Sequence, residues 1–248
     1  MYERFAQLYD RFMADVDYEG WAAYLCAIFE RHGLSGPLRI TDAACGTGGL
    51  TLPLARAGHI LIGADLSGDM LQVAAEKCRG AGLRVPFVCE DMRALQVHRR
   101  QDVVNCACDG VNYLTMEEEV RAFFSSAQAA LKPGGLLCFD VSSRYKLENV
   151  LAGNCFGEDE ERAAYFWRNA YDEEQRLLEM NLTFFMQEKD GRFVRFRERH
   201  IQRAHSREEL LRWLEEEGFE RVECWECFTA EEPTEKSERL QFCARKPL

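Results

Sequence analysis

What the chain lacks narrows it first. No uninterrupted apolar stretch is long enough to span a bilayer. Nor does a secretory leader open the sequence at Met1-Tyr2-Glu3-Arg4. Basic charge is in deficit, with 31 Lys and Arg against 42 Asp and Glu and a net charge of -11. Such a surface repels phosphate backbones at long range and disfavours a nucleic-acid substrate. There are no internal repeats, no low-complexity tract and no linker long enough to part independent domains. Metal-ligand spacing is also missing. The single C-x-x-C, Cys224 with Cys227, falls in a strand-like segment where positions i and i+3 face opposite sides. Eleven cysteines, most of them inside apolar runs, read as small buried hydrophobes and point to a reducing cytoplasm. The sequence carries no signal for an oligomeric state.

What is present is an alternation of strand and helix. Apolar residues recur at helical spacing over residues 18–32 (Trp21, Tyr24, Leu25, Ile28, Phe29), with a shorter helical stretch over 2–13. Strand-like runs follow at 38–43, 60–65, 85–89, 102–108 and 135–142. Helix-like segments at 48–57, 67–80 and 116–131 separate them. Ser67 suits an N-cap for the second of these helices, and Thr115-Met116-Glu117-Glu118 reads as a capping box for the third. Continuous apolar strands divided by helices argue for an α/β fold, a parallel sheet covered on both faces. Residues 163–204 change character to three period-two runs, an antiparallel meander with a turn at Lys189-Asp190-Gly191. In its last run Val194, Phe196, Glu198 and His200 share one face, and Arg195, Arg197 and Arg199 the other. A capped helix beginning after Ser206 and two strands near 219–228 and 238–245 close the chain.

The chemistry concentrates at strand ends. Residues 41–51, T-D-A-A-C-G-T-G-G-L-T, turn from a strand ending in Asp42 into a helix through Gly46 and Gly48. Glycines let a backbone approach a ligand closely, and a helix N-terminus favours an anion. The loop matches neither the phosphate-binding G-x-x-x-x-G-K-[ST] nor the dinucleotide G-x-G-x-x-G, because no lysine follows and Thr51 takes the third glycine position. The second strand ends in Asp65, an acceptor for both hydroxyls of a ribose, or else a helix cap. The third ends near Asp91-Met92, suited to an adenine amine and ring. The fourth runs into Asp109-Gly110-Val111-Asn112-Tyr113. Acids at successive strand ends face one crevice.

Taken together, D-A-A-C-G-T-G-G, G-A-D-L-S, C-E-D-M and L-K-P-G-G resemble the class I S-adenosylmethionine (SAM)-dependent methyltransferases. Y-D-R-F-M and D-Y-E-G-W near the N-terminus are similar to bacterial small-molecule members that methylate amino sugars and glycine. The resemblance implies a Rossmann-like, seven-stranded, mostly parallel sheet with a reversed C-terminal strand, plus the meander as an insert. It divides the chain into an N-terminal helical lid (1–33), a SAM-binding domain (34–142 and 205–248) and a substrate roof (143–204). It places SAM against Tyr18, Trp21, Asp42, Ala44, Cys45, Gly46, Gly48, Asp65, Leu66, Met70, Asp91, Met92 and Asp109. Ala44 departs from the family's usual glycine. Tyr9, Tyr113, Tyr145, Trp167, Tyr171 and His200 are candidates to line the substrate, with core packing the alternative for any one of the aromatics. His200, Glu198 and Asp109 are the candidate bases, His200 equally a packed or substrate-orienting histidine. The expected reaction is methyl transfer to a small-molecule amine or hydroxyl, without metal, nucleic acid or membrane. The alternatives are a nicotinamide oxidoreductase and a non-catalytic SAM-binding module.

Overall fold

A computed structural model describes residues 6, 8–10, 13–188 and 190–248. The 2–13 helix expectation falls partly outside these residues, although 8–10 are helical; Lys189 of the expected turn also lies outside them. Helix α1, Tyr18–Arg31, begins where Asp17 accepts from the Gly20 N–H and buries Trp21, Leu25, Ile28 and Phe29. Strand and helix then alternate: β1 Arg39–Ala43, α2 Thr51–Arg56, β2 Ile60–Asp65, α3 Gly68–Gly80, β3 Phe87–Cys89, β4 Gln101–Cys106, α4 Glu117–Ala130 and β5 Leu131–Ser142. Ser67 caps α3, its hydroxyl accepting from the Met70 N–H. At α4 the cap differs from expectation. The Thr115 hydroxyl makes no cap; the Glu119 carboxylate instead accepts from the backbone N–H groups of Thr115 and Met116.

The main sheet has the order β10-β11-β5-β4-β1-β2-β3, with β1 to β5 parallel. Strand β11, Arg239–Arg245, runs antiparallel to β5, and β10, Glu220–Glu226, pairs with β11. This is the expected sheet, reversed strand included. Its two faces are packed separately. Phe123, Phe124, Phe139, Trp213 and Phe242 fill one side, and Trp21, Leu25, Phe29, Leu54 and Trp225 the other. Burying a Phe or Leu side chain contributes about 1.5–3 kcal/mol relative to leaving it exposed, so these two layers dominate the stability.

The insert departs from the sequence reading in one respect. It is a four-stranded antiparallel sheet, β6 Cys155–Asp159, β7 Ala163–Asp172, β8 Leu177–Gln187 and β9 Phe193–Arg203, not three. All five side chains of β6 are exposed, so no apolar alternation marks it in the sequence. The face assignment on β9 holds. Phe196 and Glu198 are buried, whereas Arg195, Arg197 and Arg199 are exposed. A last helix, α5 Arg207–Glu216, carries the capping box of Ser206 with Glu209. Among the described residues no helix is long and apolar enough to cross a membrane. All eleven cysteines are free, Cys224 and Cys227 included.

Candidate active site

The carboxyl ends of the parallel strands open into a cavity of about 690 Å³ that also reaches the inner face of the antiparallel sheet. Its base is the loop after β1. Gly46 and Gly48 have φ of 54° and 74°, values that glycine adopts without strain. Ala44 has φ 53°, so the position where a glycine was expected is a left-handed one occupied by a residue with a Cβ. Gly49 has a different reason to be small: an added Cβ would lie 2.7 Å from the Tyr18 ring, which packs onto the loop from the start of α1.

Asp65 ties this loop to β2. One oxygen accepts from the Gly46 N–H and the other from the Ser67 N–H, both at 2.8 Å. Each carboxylate oxygen keeps a second lone pair for a hydroxyl. Asp42 is buried at the end of β1, taking hydrogen bonds from the Thr51 hydroxyl (2.5 Å) and the Asn105 amide (2.9 Å). Burial outweighs both partners and pushes its carboxyl up to about 6. Asp91, after β3, is chelated by Arg93, which also pairs with Glu119 at 2.5 Å. That guanidinium holds Asp91 below the usual carboxylate range. From the N-terminal side Asp10 accepts from the Thr47 hydroxyl (2.5 Å) and from Lys77 of α3 (2.8 Å), latching the segment before α1 onto the loop.

The end of β4 is strained and braced. Cys108 and Asp109 are consecutive left-handed residues, with φ of 56° and 53°. Asp140 of β5 accepts from both their N–H groups, at 2.8 and 3.1 Å. Arg239, at the start of β11, bridges the Asp109 and Asp140 carboxylates and stacks its guanidinium 5.3 Å from the Trp21 ring centre. Burial pushes Asp109 upward, but Arg239 and the Gln202 amide (2.8 Å) outweigh it and leave this carboxyl lowered. For Asp140 burial prevails and its pKa is raised.

The antiparallel sheet contributes Tyr165, Trp167, Met180, Leu182, Phe184, His200 and Gln202 to the cavity. His200 Nδ1 lies 3.5 Å from the Tyr113 hydroxyl, with the rings edge to face. Burial lowers the His200 pKa and so favours the neutral imidazole.

Most of the residues expected at the site meet here. Tyr9, Tyr18, Trp21, Asp42, Ala44, Cys45, Gly46, Asp65, Leu66, Met70, Asp91, Met92, Asp109, Tyr113, Trp167 and His200 all line the cavity. Gly48 shapes the loop without lining it. Three further candidates stand outside the lining. Glu198 faces the same way as His200, but two residues along the strand, where it is buried. Tyr145 is not in the wall, and Tyr171 donates instead to Glu148 at 2.6 Å. Sequence reasoning missed Asp10, Arg93, Asp140, Lys146, Gln202 and Arg239. All are ordinary charged or polar residues that only the fold carries to the crevice; the acid ending β5 was the one available signal.

A doubly wound sheet with one reversed strand next to its edge, a glycine turn at its carboxyl end and acids ending the next strands defines an α/β protein that holds an adenosine-type cofactor. The comparisons identify which. Residues 40–135 match the methyltransferase domain family. A protein of Geobacillus sp. (strain WCH70), named provisionally as a methyltransferase, is 36% identical over 245 residues, covering 99% of both chains. The crystal structure of a SAM-dependent methyltransferase from Clostridium acetobutylicum ATCC 824 superposes with TM-score 0.89 and 30% identity, over 100% of this chain and 99% of that one. The fold is also shared by the sugar N-methyltransferase KedS8 from Streptoalloteichus sp ATCC 53650, with TM-score 0.80 and 18% identity over 98% and 92% of the two chains. The chain belongs to the SAM-dependent methyltransferases.

Family membership removes the nicotinamide alternative, and the residues present suit SAM. No lysine or arginine stands in the glycine loop to meet a phosphate. Aromatic rings and carboxylates, which suit a sulfonium cation, line the cavity instead.

Proposed function

We propose that this enzyme methylates an amine or hydroxyl of a small molecule held beneath the antiparallel sheet. The observation that carries the reading is the shared cavity: the glycine loop and Asp65 at one end, and His200, Gln202 and Tyr113 at the other, line one space. A polymer such as nucleic acid suits neither this roofed space nor the net charge of -11. In this reading residues 1–33 form a lid, 143–204 a roof, and the remainder the cofactor domain.

Asp65 would receive the ribose hydroxyls, the Asp91–Met92 end the adenine, and the 44–48 loop with Tyr18 and Trp21 the amino-acid portion. Bound SAM supplies an electrophilic methyl group. The rest of the task is alignment and exclusion of water. His200 is the best placed base. Its neutral imidazole faces the cavity, whereas Asp109 is already engaged by Arg239 and Gln202. A hydroxyl substrate would give its proton to His200 as the oxygen attacks. An amine that arrives deprotonated would pass its surplus proton to His200 after transfer. The aromatic wall of Tyr9, Tyr113 and Trp167 favours a cationic amine, in keeping with the substrate class in the KedS8 name.

The test is incubation with methyl-labelled SAM and a panel of small amines, hydroxyls and carboxylic acids. Label on an amine or alcohol is expected. Label on acids alone, or on none of the panel despite bound SAM, would overturn the proposal.

A further inference from the structure

A second cavity, of about 470 Å³, opens at the opposite, amino edge of the parallel sheet. It lies where β1, β2 and β4 begin, at Arg39, Ile60 and Gln101, with residues 83–86 leading into β3 as its far wall. The chain has 42 acidic residues among 248, yet none lines this cavity. Three arginines do: Arg39, Arg84 and Arg99. All three are exposed, and none has an ion-pair partner within 4.0 Å among the described residues. Of the other twenty described arginines, eleven are ion-paired, as in Arg31–Glu223 and Arg121–Glu216.

Beneath the cationic rim the lining is apolar, including Leu61, Val85 and an Ile60 that is 55% exposed. One polar atom interrupts it. Gln101 is 2% exposed, and its Nε2 donates to the Arg99 carbonyl at 2.5 Å. That bond fixes the amide's orientation and leaves Oε1 buried without a hydrogen-bond partner among the described residues.

We propose that this cavity is a second ligand site, for a nucleotide whose phosphates meet Arg39, Arg84 and Arg99. Its planar base lies on the apolar floor. Guanidinium forks match phosphate oxygens bidentately, and the volume lies within the usual range for one small ligand. Charge selects a small occupant over a polymer. The net -11 opposes a long polyanion, whereas one nucleotide inside the cavity meets chiefly the local arginines. The site is independent of methyl transfer, since the two cavities share no lining residue.

The experiment is a fluorescence titration with N-methylanthraniloyl-ADP at low salt. Saturating S-adenosylhomocysteine is present throughout, so that adenosine recognition at the SAM site cannot report. Saturable binding is expected, displaced by ADP and at least tenfold less well by adenosine or pyrophosphate alone. Arg84→Ala with Arg99→Ala should weaken it at least tenfold, with SAM affinity unchanged as the check on folding. Absence of binding, an unchanged affinity in the double variant, or pyrophosphate competing as well as ADP would overturn the proposal.

Discussion

At the scale of single residues, Asp65 and Ala44 carry the clearest consequences. The Asp65 carboxylate pins the Gly46 and Ser67 N–H groups and keeps lone pairs for two hydroxyls. Its proposed ribose bonds contribute at least about 1.5 kcal/mol each, so Asp65→Ala should weaken SAM binding at least tenfold by calorimetry. An unchanged dissociation constant would refute the ribose role. Ala44 sits in the left-handed region with φ 53°. A residue with a Cβ is strained there by roughly 1–2 kcal/mol, and glycine returns roughly 0.5–1 kcal/mol of that as chain entropy. Ala44→Gly should therefore raise the unfolding free energy by up to about 1 kcal/mol in urea titration. A loss would show that the methyl's packing beside Gly110 outweighs the strain. The sequence exposed this position as an oddity, but only the backbone angle reveals that the oddity carries a cost.

Elements bring together what single residues cannot. Strand ends β4, β5 and β11 meet at Asp109, Asp140 and Arg239, and Asp140 holds the left-handed Cys108 and Asp109 in place. Removing the cation leaves the buried Asp140 carboxylate facing the half-buried Asp109, and breaking a buried charge cluster costs up to about 3–5 kcal/mol. Arg239→Met should thus lower stability by that amount near pH 7, with a smaller deficit at pH 5 as Asp140, whose carboxyl is already raised, takes up a proton. A deficit independent of pH would mean that lost packing on Trp21, not charge, is responsible. Of this cluster only Asp109 was read from the sequence. Arg239 lies 99 residues from Asp140, and a lone arginine opening a strand looks like any solvent-facing charge. Acids closing successive parallel strands were legible, because apolar runs mark those strands and their ends follow. Strand β6 was not, because an exposed edge strand leaves no period-two apolar trace.

On the scale of the whole molecule, the seven-stranded sheet and the antiparallel sheet line one cavity, so under the proposed division changes in one half should spare the task of the other. The cofactor half was legible because strand, glycine turn and acid recur in a fixed order. The roof's choice of residues was not: Glu198, Tyr145 and Tyr171 had the right chemistry, yet their positions keep them out of the cavity wall. His200 tests this division. Burial lowers its pKa, so below its ordinary value of 6.5 a fraction remains neutral that a solvated histidine would not keep. A base works in its unprotonated form. Turnover should therefore rise with pH along a limb centred below 6.5, with SAM affinity level across the same range. His200→Gln keeps a polar side chain facing Tyr113 but cannot take up the proton, and it should remove the limb and lower kcat by about 10²–10⁴-fold. A retained limb with a normal kcat would make His200 a packing residue. A raised SAM dissociation constant with kcat intact would place it at the cofactor instead.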